Sequence, residues 1–264
     1  MRYGGNTSCV EICDGDRRLI FDAGSGIREL GTDVYERGPN EIHIFLTHFH
    51  WDHIQGFPFF RPLYDAEDTI TVLGPKQRDI DVQNLFAGQM GPIYFPVPFS
   101  VVAATMAFEH LNEGSYEIDG FTLDVMRVRH PSFVVGYRIR LRDSIVCYVP
   151  DNELDGEMYP DAGPDFRARM LEFVAGADLL IHDAMYTDAE YPGRRGWGHS
   201  TFEQAVDLAR DAEVKELLFF HHDPTRTDDE LDEIVARMQD EVSGDALTVG
   251  AAMEGVYYEL EDGS

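Results

Sequence analysis

A histidine-rich run follows a short apolar strand in the first quarter of this 264-residue chain. The run is THFHWDH, residues 47–53. Because alternate residues of an extended chain point to the same side, His48 and His50 are expected to aim at one point. After the chain turns, Asp52 and His53 can aim at a second point beside the first. Zinc, manganese and iron accept imidazole and carboxylate ligands, so this spacing favours a metal site over a surface or core cluster of histidines.

The predicted elements change character along the chain. The first half is rich in strands, and the second half alternates strands with helices. This order predicts an α/β fold in which two mixed β-sheets pack together with helices on the outer faces, an αββα sandwich. The predicted helices are Phe166–Ala175, Thr201–Asp211 and Asp228–Glu241. The segment Phe86–Val102 is rich in Gly and Pro and is predicted to be a loop or lid. The predicted strands are Val10–Cys13, Arg18–Phe21, Ile42–Leu46, Thr69–Leu73, Phe121–Arg129, Val134–Leu141, Ser144–Val149, Leu179–Ile181, Leu217–Phe220 and Val256–Leu260.

Charge and composition limit the partners of the chain. There are 49 Asp and Glu residues against 21 Lys and Arg, a formal net charge of −28, which disfavours long nucleic acids and anionic membranes. No apolar stretch approaches the ~18 residues of a membrane span, and no signal-peptide core is visible. We therefore expect a cytoplasmic protein. Its three cysteines, Cys9, Cys13 and Cys147, are read as reduced core thiols.

The histidine run matches the HxHxDH signature of the metallo-β-lactamase-fold hydrolases. Other motifs of that family follow in the same order along nearly the whole chain, and the paired HDA and HST segments are similar to those of the ribonuclease Z-like branch, which has cyclic phosphodiesterases among its relatives. The matching segments are Gly4–Cys9, Phe21–Gly26, Val128–Pro131, Tyr148–Asp151, Leu180–Ala184, Gly198–Thr201 and Phe219–Pro224.

The resemblance implies a binuclear centre of two divalent ions per chain, with Zn²⁺ favoured and Mn²⁺ or Fe²⁺ as alternatives. An anionic bridge offsets the repulsion of the two ions. His221 is preferred to His222 as a ligand because it directly follows an apolar strand, and the choice stays open. The implied ligands are His48, His50 and His130 for one ion, Asp52, His53 and His221 for the other, and Asp151 as the bridge.

Further residues have implied roles beside the ligands. His199 is expected to contact the scissile phosphate or protonate the leaving oxygen, with Asp183 orienting its ring, and Asp52 is grouped with them as catalytic. Capping of the following helix is the alternative explanation of the His199 segment. Asp22 is expected to orient a metal-bound histidine, or to form an Asx turn. Lastly, Arg194 and Arg195 are candidate contacts for a substrate phosphate, or plain surface residues.

The implied reaction is hydrolysis of a small cyclic or linear phosphodiester by a metal-bridged hydroxide. An RNA endonuclease of the ribonuclease Z type is the nearest alternative, but no long basic insertion comparable to a tRNA-gripping arm is evident. Ester, thioester or lactam hydrolysis on the same site, or a non-catalytic metal-bound sensor, are further alternatives. A single domain spanning residues 1–264 is expected, with the family's first strand absent or preceding Met1, and relatives of this kind are often homodimers.

Overall fold

The computed structural model describes residues 2–38, 40–77, 81–156, 159, 163 and 165–260. The chain divides into two compact units. The first unit is Asn6–Asn112, and the second comprises residues 113–260 of the described chain together with residues 2–5. Each unit has its own sheet and its own cluster of buried apolar side chains. The expectation of one domain over residues 1–264 stays a prediction.

A five-stranded mixed sheet organises the first unit, in the order β1-β2-β3-β4-β5. The first two strands form an antiparallel hairpin, and all later neighbours are parallel. The strands are β1 (Val10–Asp14), β2 (Arg17–Phe21), β3 (Glu41–Phe45), β4 (Thr69–Pro75) and β5 (Thr105–Leu111), and the α-helices are α1 (Ile27–Glu36), α2 (Trp51–Ile54) and α3 (Val82–Gln89).

The parallel register of β2 and β3 brings two loops to one edge of this sheet. Phe21 and Phe45, the last residues of the two strands, are register partners. Parallel strands end at the same edge, so Asp22 and the histidine run both begin there. Asp22 itself has φ of 62°, in the left-handed region that non-glycine residues rarely adopt.

A seven-stranded mixed sheet organises the second unit, in the order β12-β11-β10-β9-β8-β7-β6. β9 to β12 are parallel, and β6 to β9 are antiparallel neighbours. The strands are β6 (Gly114–Ile118), β7 (Phe121–Arg127), β8 (Val135–Leu141), β9 (Ser144–Val149), β10 (Leu179–Asp183), β11 (Glu216–Phe220) and β12 (Thr248–Ala251), and the α-helices are α4 (Phe166–Val174), α5 (Phe202–Asp211) and α6 (Asp228–Glu241).

Four strand ends of the second unit point to one edge. β9, β10 and β11 are parallel in register, so Asp151, Asp183 and His221 follow or end neighbouring strands on that edge. β7 has the same direction as β9, because β8 is antiparallel to both, and His130 follows it. Candidate side chains from distant parts of the sequence therefore meet by strand direction alone.

Helix starts in the second unit carry reciprocal caps. Thr201 accepts from the Gln204 amide in a capping box that opens α5, and Thr227 does the same with Glu230 for α6. These bonds satisfy helix amides that otherwise lack partners. Thr201 is thus sufficient to begin α5 without His199. Among the described residues, none of the helices is at once long and apolar enough to span a bilayer.

The predicted α/β class with two mixed sheets is confirmed, while several element predictions were wrong. The last strand is Thr248–Ala251, which pairs with β11; the predicted strand Val256–Leu260 is irregular, and Tyr257 is 69% exposed there. Alternation alone could not show which segment finds a strand partner. The predicted loop Phe86–Val102 begins inside helix α3. Helix α1 and strands β5 and β6 were not predicted.

Candidate metal centre

In the first unit, a buried carboxylate orients one imidazole of the histidine run. Asp22 and His53 are both fully buried, and Asp22 Oδ2 lies 2.8 Å from His53 Nδ1. A carboxylate accepts hydrogen bonds, so Nδ1 carries the proton and Nε2 keeps the lone pair. Nε2 lies 3.3 Å from Asp52 Oδ2. The arrangement fits His53 for metal binding through Nε2.

Thr47 fixes a second imidazole in the same way. Its amide donates to Asp22 Oδ1 at 2.7 Å, and its hydroxyl lies 2.9 Å from Asp22 Oδ2. The hydroxyl proton is therefore directed to the carboxylate, and Thr47 Oγ1 accepts from His48 Nδ1 at 3.1 Å. His48 consequently also keeps its lone pair on Nε2. The ring centroids of His48 and His50 are 4.5 Å apart.

We predict that Asp22→Asn lowers metal affinity about 10- to 100-fold, the usual effect of removing a carboxylate that orients a ligand histidine. The neutral amide is a weaker acceptor for His53 and removes the charge that favours this tautomer. Competition titration against a chromophoric chelator measures the effect. Asp68→Asn is the matched control, because Asp68 is also a buried carboxylate of the first unit but accepts from the Asn40 amide. Equal affinities for the Asp22 variant and the unaltered protein would contradict the role.

In the second unit, one carboxylate oxygen lies between two imidazoles. Asp151 is 2% exposed, and its Oδ2 is 3.6 Å from Nε2 of both His130 and His221. This distance is too long for a hydrogen bond. Two ligand atoms bonded at about 2.1 Å to one tetrahedral ion are about 3.4 Å apart, so the spacing fits atoms that share a metal. His221 has φ of 57°, which turns it sharply out of β11.

His199 forms a carboxylate–imidazole pair beside these residues. Its Nδ1 lies 2.7 Å from Oδ2 of the fully buried Asp183, and its ring stacks on His221 with a centroid distance of 4.7 Å. Asp183 Oδ2 also accepts from the Asn152 amide at 3.1 Å. The fixed Nδ1–H leaves Nε2 to exchange a proton or to bind a ligand. Donor atoms of Asp151, His199 and His221 lie within 4.8 Å of one another.

His222, Arg194 and Arg195 make contacts other than those of the candidate ligands. His222 Nε2 is 3.1 Å from the Ala252 carbonyl oxygen, and burial lowers the pKa of this imidazole. His221, rather than His222, therefore accompanies Asp151 in the structure. Arg194 and Arg195 are exposed, and their guanidinium groups lie over the rings of Trp197 and Tyr191 at 4.7 and 5.5 Å. Their contact with substrate stays a prediction.

Two buried residues, Thr47 in the first unit and Glu153 in the second, were not predicted from the sequence. Thr47 opens the THFHWDH run, and its hydroxyl directly before His48 was the available signal. Glu153 is a buried carboxylate two residues after Asp151. Nothing periodic marks it, because three of its four partners are amides and a hydroxyl of residues 191–198.

Comparison with known proteins decides the family. A family model described as "Beta-lactamase superfamily domain" matches residues 17–222. The chain belongs to the metallo-β-lactamase superfamily. A ribonuclease Z of Thermococcus kodakarensis is 30% identical over 246 residues, which cover 77% of this chain and 74% of that protein. This relative assigns the chain to the ribonuclease Z-like branch of the superfamily, as the motifs predicted.

Solved structures agree on the fold. The metallo-β-lactamase-fold protein YhfI of Bacillus subtilis matches with a TM-score of 0.71 and 20% identity, over 98% of this chain and 96% of that one. A diphosphatase of the PhnP family matches with a TM-score of 0.68 and 19% identity, over 97% of this chain and 85% of that one. The chain is thus a hydrolase-superfamily member with the metallo-β-lactamase fold, and its His and Asp clusters are able to bind metal.

Proposed function

We propose that the chain is a binuclear metal-dependent phosphodiesterase. The family match and the Nε2 lone pairs of His48 and His53 support a metal centre, and so does the spacing around Asp151. When bound, two divalent ions supply the Lewis acidity that activates water and a phosphoryl oxygen. Imidazole and carboxylate ligands suit Zn²⁺, Mn²⁺ and Fe²⁺. The proposed ligands are His48, His50 and His130 for one ion, Asp52, His53 and His221 for the other, and Asp151 for both.

The Asp183–His199 pair is the observation that favours a phosphodiester as the substrate. Hydrolysis of an alkyl diester releases an alkoxide, which needs a proton as the bond breaks. His199 offers an oriented imidazole whose Nδ1 is held at 2.7 Å by Asp183 and whose ring lies against a proposed ligand, His221. In the protonated state, Nε2 of His199 donates its proton to the leaving oxygen. Asp183 stabilises the imidazolium and fixes the ring.

The substrate is proposed to be a small cyclic or linear diester. The net charge of −28 repels a polyanion at long range and penalises RNA more than a single diester. RNA cleavage is the second candidate, because the curated relatives include ribonuclease Z of Thermococcus kodakarensis and of Haloferax volcanii. We further propose that the protein is located in the cytoplasm, does not bind a membrane, and forms a homodimer.

One experiment tests these proposals together. Metal-free protein is loaded separately with Zn²⁺, Mn²⁺ or Fe²⁺, the metal content is measured, and each sample is assayed on four substrates. The substrates are bis(p-nitrophenyl) phosphate, a 2′,3′-cyclic nucleotide, a precursor tRNA with a 3′ trailer and a chromogenic lactam. We expect two metals per chain and turnover of the first two substrates.

Each other result has a defined meaning. Turnover of the precursor tRNA alone would select the ribonuclease alternative, and turnover of the lactam without any diester would reject the phosphodiesterase proposal. Two bound metals with no hydrolysis at all would favour a sensor. Salt titration separates the two diester candidates further, because RNA binding weakens steeply with ionic strength while binding of one diester changes little.

A further inference from the structure

Glu153 is a buried carboxylate of the second unit to which the metal chemistry gives no task. It is 1% exposed, and four donors surround its two oxygens. The hydroxyls of Tyr159 and Tyr191 donate to it at 3.2 and 2.8 Å, and the amides of Gly196 and Gly198 both donate at 2.8 Å. An unpaired carboxylate is costly to bury, and here four hydrogen bonds compensate that cost. The surrounding residues therefore form a specific binding environment for this side chain.

Three of these donors belong to one loop, residues 191–198. The amides of Gly196 and Gly198 flank Trp197, so Glu153 holds the backbone on both sides of that residue. Burial, and then the hydrogen bond to Glu153, raises the pKa of the Tyr191 hydroxyl, which keeps it a donor. Arg194 and Arg195 of this loop are exposed, and the bonds to Glu153 tie the loop to the buried Asp151–Leu154 segment.

The anchored loop leads directly into His199. Gly198 has φ of 93°, and a Cβ built on it would lie 2.2 Å from His130 Cδ2. The backbone therefore passes against the His130 ring, where only glycine fits. On the far side of His199, Ser200 Oγ donates to the Asn152 carbonyl oxygen at 2.5 Å. The segment that carries His199 is thus fastened to the Asp151–Leu154 segment at both ends.

We propose that Glu153 is a positioning residue that fixes loop 191–198 and so sets the location of His199 beside His130 and His221. Asp183 fixes the rotation of the imidazole, whereas Glu153 fixes the backbone from which it projects. This inference rests on the proposed phosphodiesterase function for its kinetic consequence. Its structural consequence, that the Glu153 carboxylate restrains the loop, is independent of that function.

Glu153→Gln tests the structural consequence without any substrate. The side chain keeps its size, but its amide group turns an N–H towards the Gly196 or Gly198 amide. Loss of a hydrogen bond to a charged group raises the open population of the loop, and cleavage that follows opening rises about 10- to 100-fold. Native-state trypsin digestion, with mass spectrometry of cuts after Arg194 and Arg195, measures it. Asp155→Asn is the control, an exposed carboxylate of the same segment that accepts from Gln204 Nε2.

The kinetic test compares two leaving groups on metal-loaded protein. If Glu153 acts through His199, Glu153→Gln lowers kcat for an alkyl diester about 10-fold or more and changes KM and metal content little. For a p-nitrophenyl diester, which leaves without a proton, the loss is several-fold smaller. In the Glu153→Gln/His199→Ala double variant the two losses do not add. Tyr191→Phe, which removes one donor and no charge, provides a milder second variant if Glu153→Gln folds poorly.

The outcomes separate the inference from the function on which it rests. An unaltered protein with two metals and no diester turnover overturns the proposed function, while the digestion result still decides whether Glu153 holds the loop. Unchanged cleavage after Arg194 and Arg195 in both Glu153→Gln and Tyr191→Phe overturns the positioning role. So does an equal loss of kcat for both leaving groups, which would indicate general damage to the centre.

Discussion

The Asp151→Asn variant is expected to bind fewer metal ions per chain and to lose turnover by on the order of 1,000-fold or more. Asp151 is 2% exposed, and one of its oxygens is equidistant from the imidazoles of His130 and His221. Asparagine preserves the shape of the side chain but removes the negative charge that offsets two cations. Metal analysis after dialysis and initial rates at matched metal concentration measure the two effects.

Asp155→Asn is the matched control for this variant as well. The same chemical change four residues later, at an exposed position, should leave metal content and rate unchanged. Thermal unfolding of the metal-free proteins checks that the Asp151 variant keeps the fold. A variant with full metal content and an unaltered rate would refute the assignment of Asp151 as the bridge.

His199→Ala is expected to retain both metals and to hydrolyse an alkyl diester about 10²- to 10⁴-fold more slowly, the usual contribution of a general acid. The loss should be much smaller for a p-nitrophenyl ester, because that leaving group departs as a stable anion. The pair of substrates therefore distinguishes lost proton transfer from lost metal. His110→Ala, an exposed histidine on β5, is the control.

Loss of a metal from His199→Ala would give the residue a different role. Its donor atom lies within 4.8 Å of donor atoms of Asp151 and His221, a separation at which it can also act as a ligand. Retention of two metals together with an unchanged alkyl-diester rate would leave His199 without a catalytic role. The metal content and the leaving-group ratio thus decide between acid and ligand.

The positions of the candidate residues at strand ends could be predicted, because they depend on the local sequence pattern and on strand direction. The strand before the histidine run, the capped helices α5 and α6, and the strands that precede Asp151 and His221 could all be read from apolar runs and polar residues at their ends. In the second unit, parallel pairing then brings the ends of β9, β10 and β11 to one edge of the sheet. The family motifs added the order of the proposed ligands.

Long-range partners were not predictable in the same way. β12 is a strand because residues 248–251 pair with β11, whereas residues 256–258, Val-Tyr-Tyr, have a higher β propensity and yet find no strand partner in the described chain. The four donors of Glu153 come from residues up to 45 positions away, and no spacing rule encodes them. Helix α1 follows Gly26 without a side-chain cap and therefore lacks the usual start signal.

The left-handed backbone at Asp22 and His221 has a consequence for engineering. Each non-glycine residue in that conformation costs roughly 1–2 kcal/mol relative to an unstrained backbone. Glycine at His221 would relieve this cost while deleting an imidazole that the chemistry needs, whereas glycine at Asp22 would also leave the buried Thr47 amide and His53 ring without their acceptor. Selection for heat resistance alone would therefore enrich inactive proteins, and a stabilisation campaign on this scaffold has to score turnover in every round.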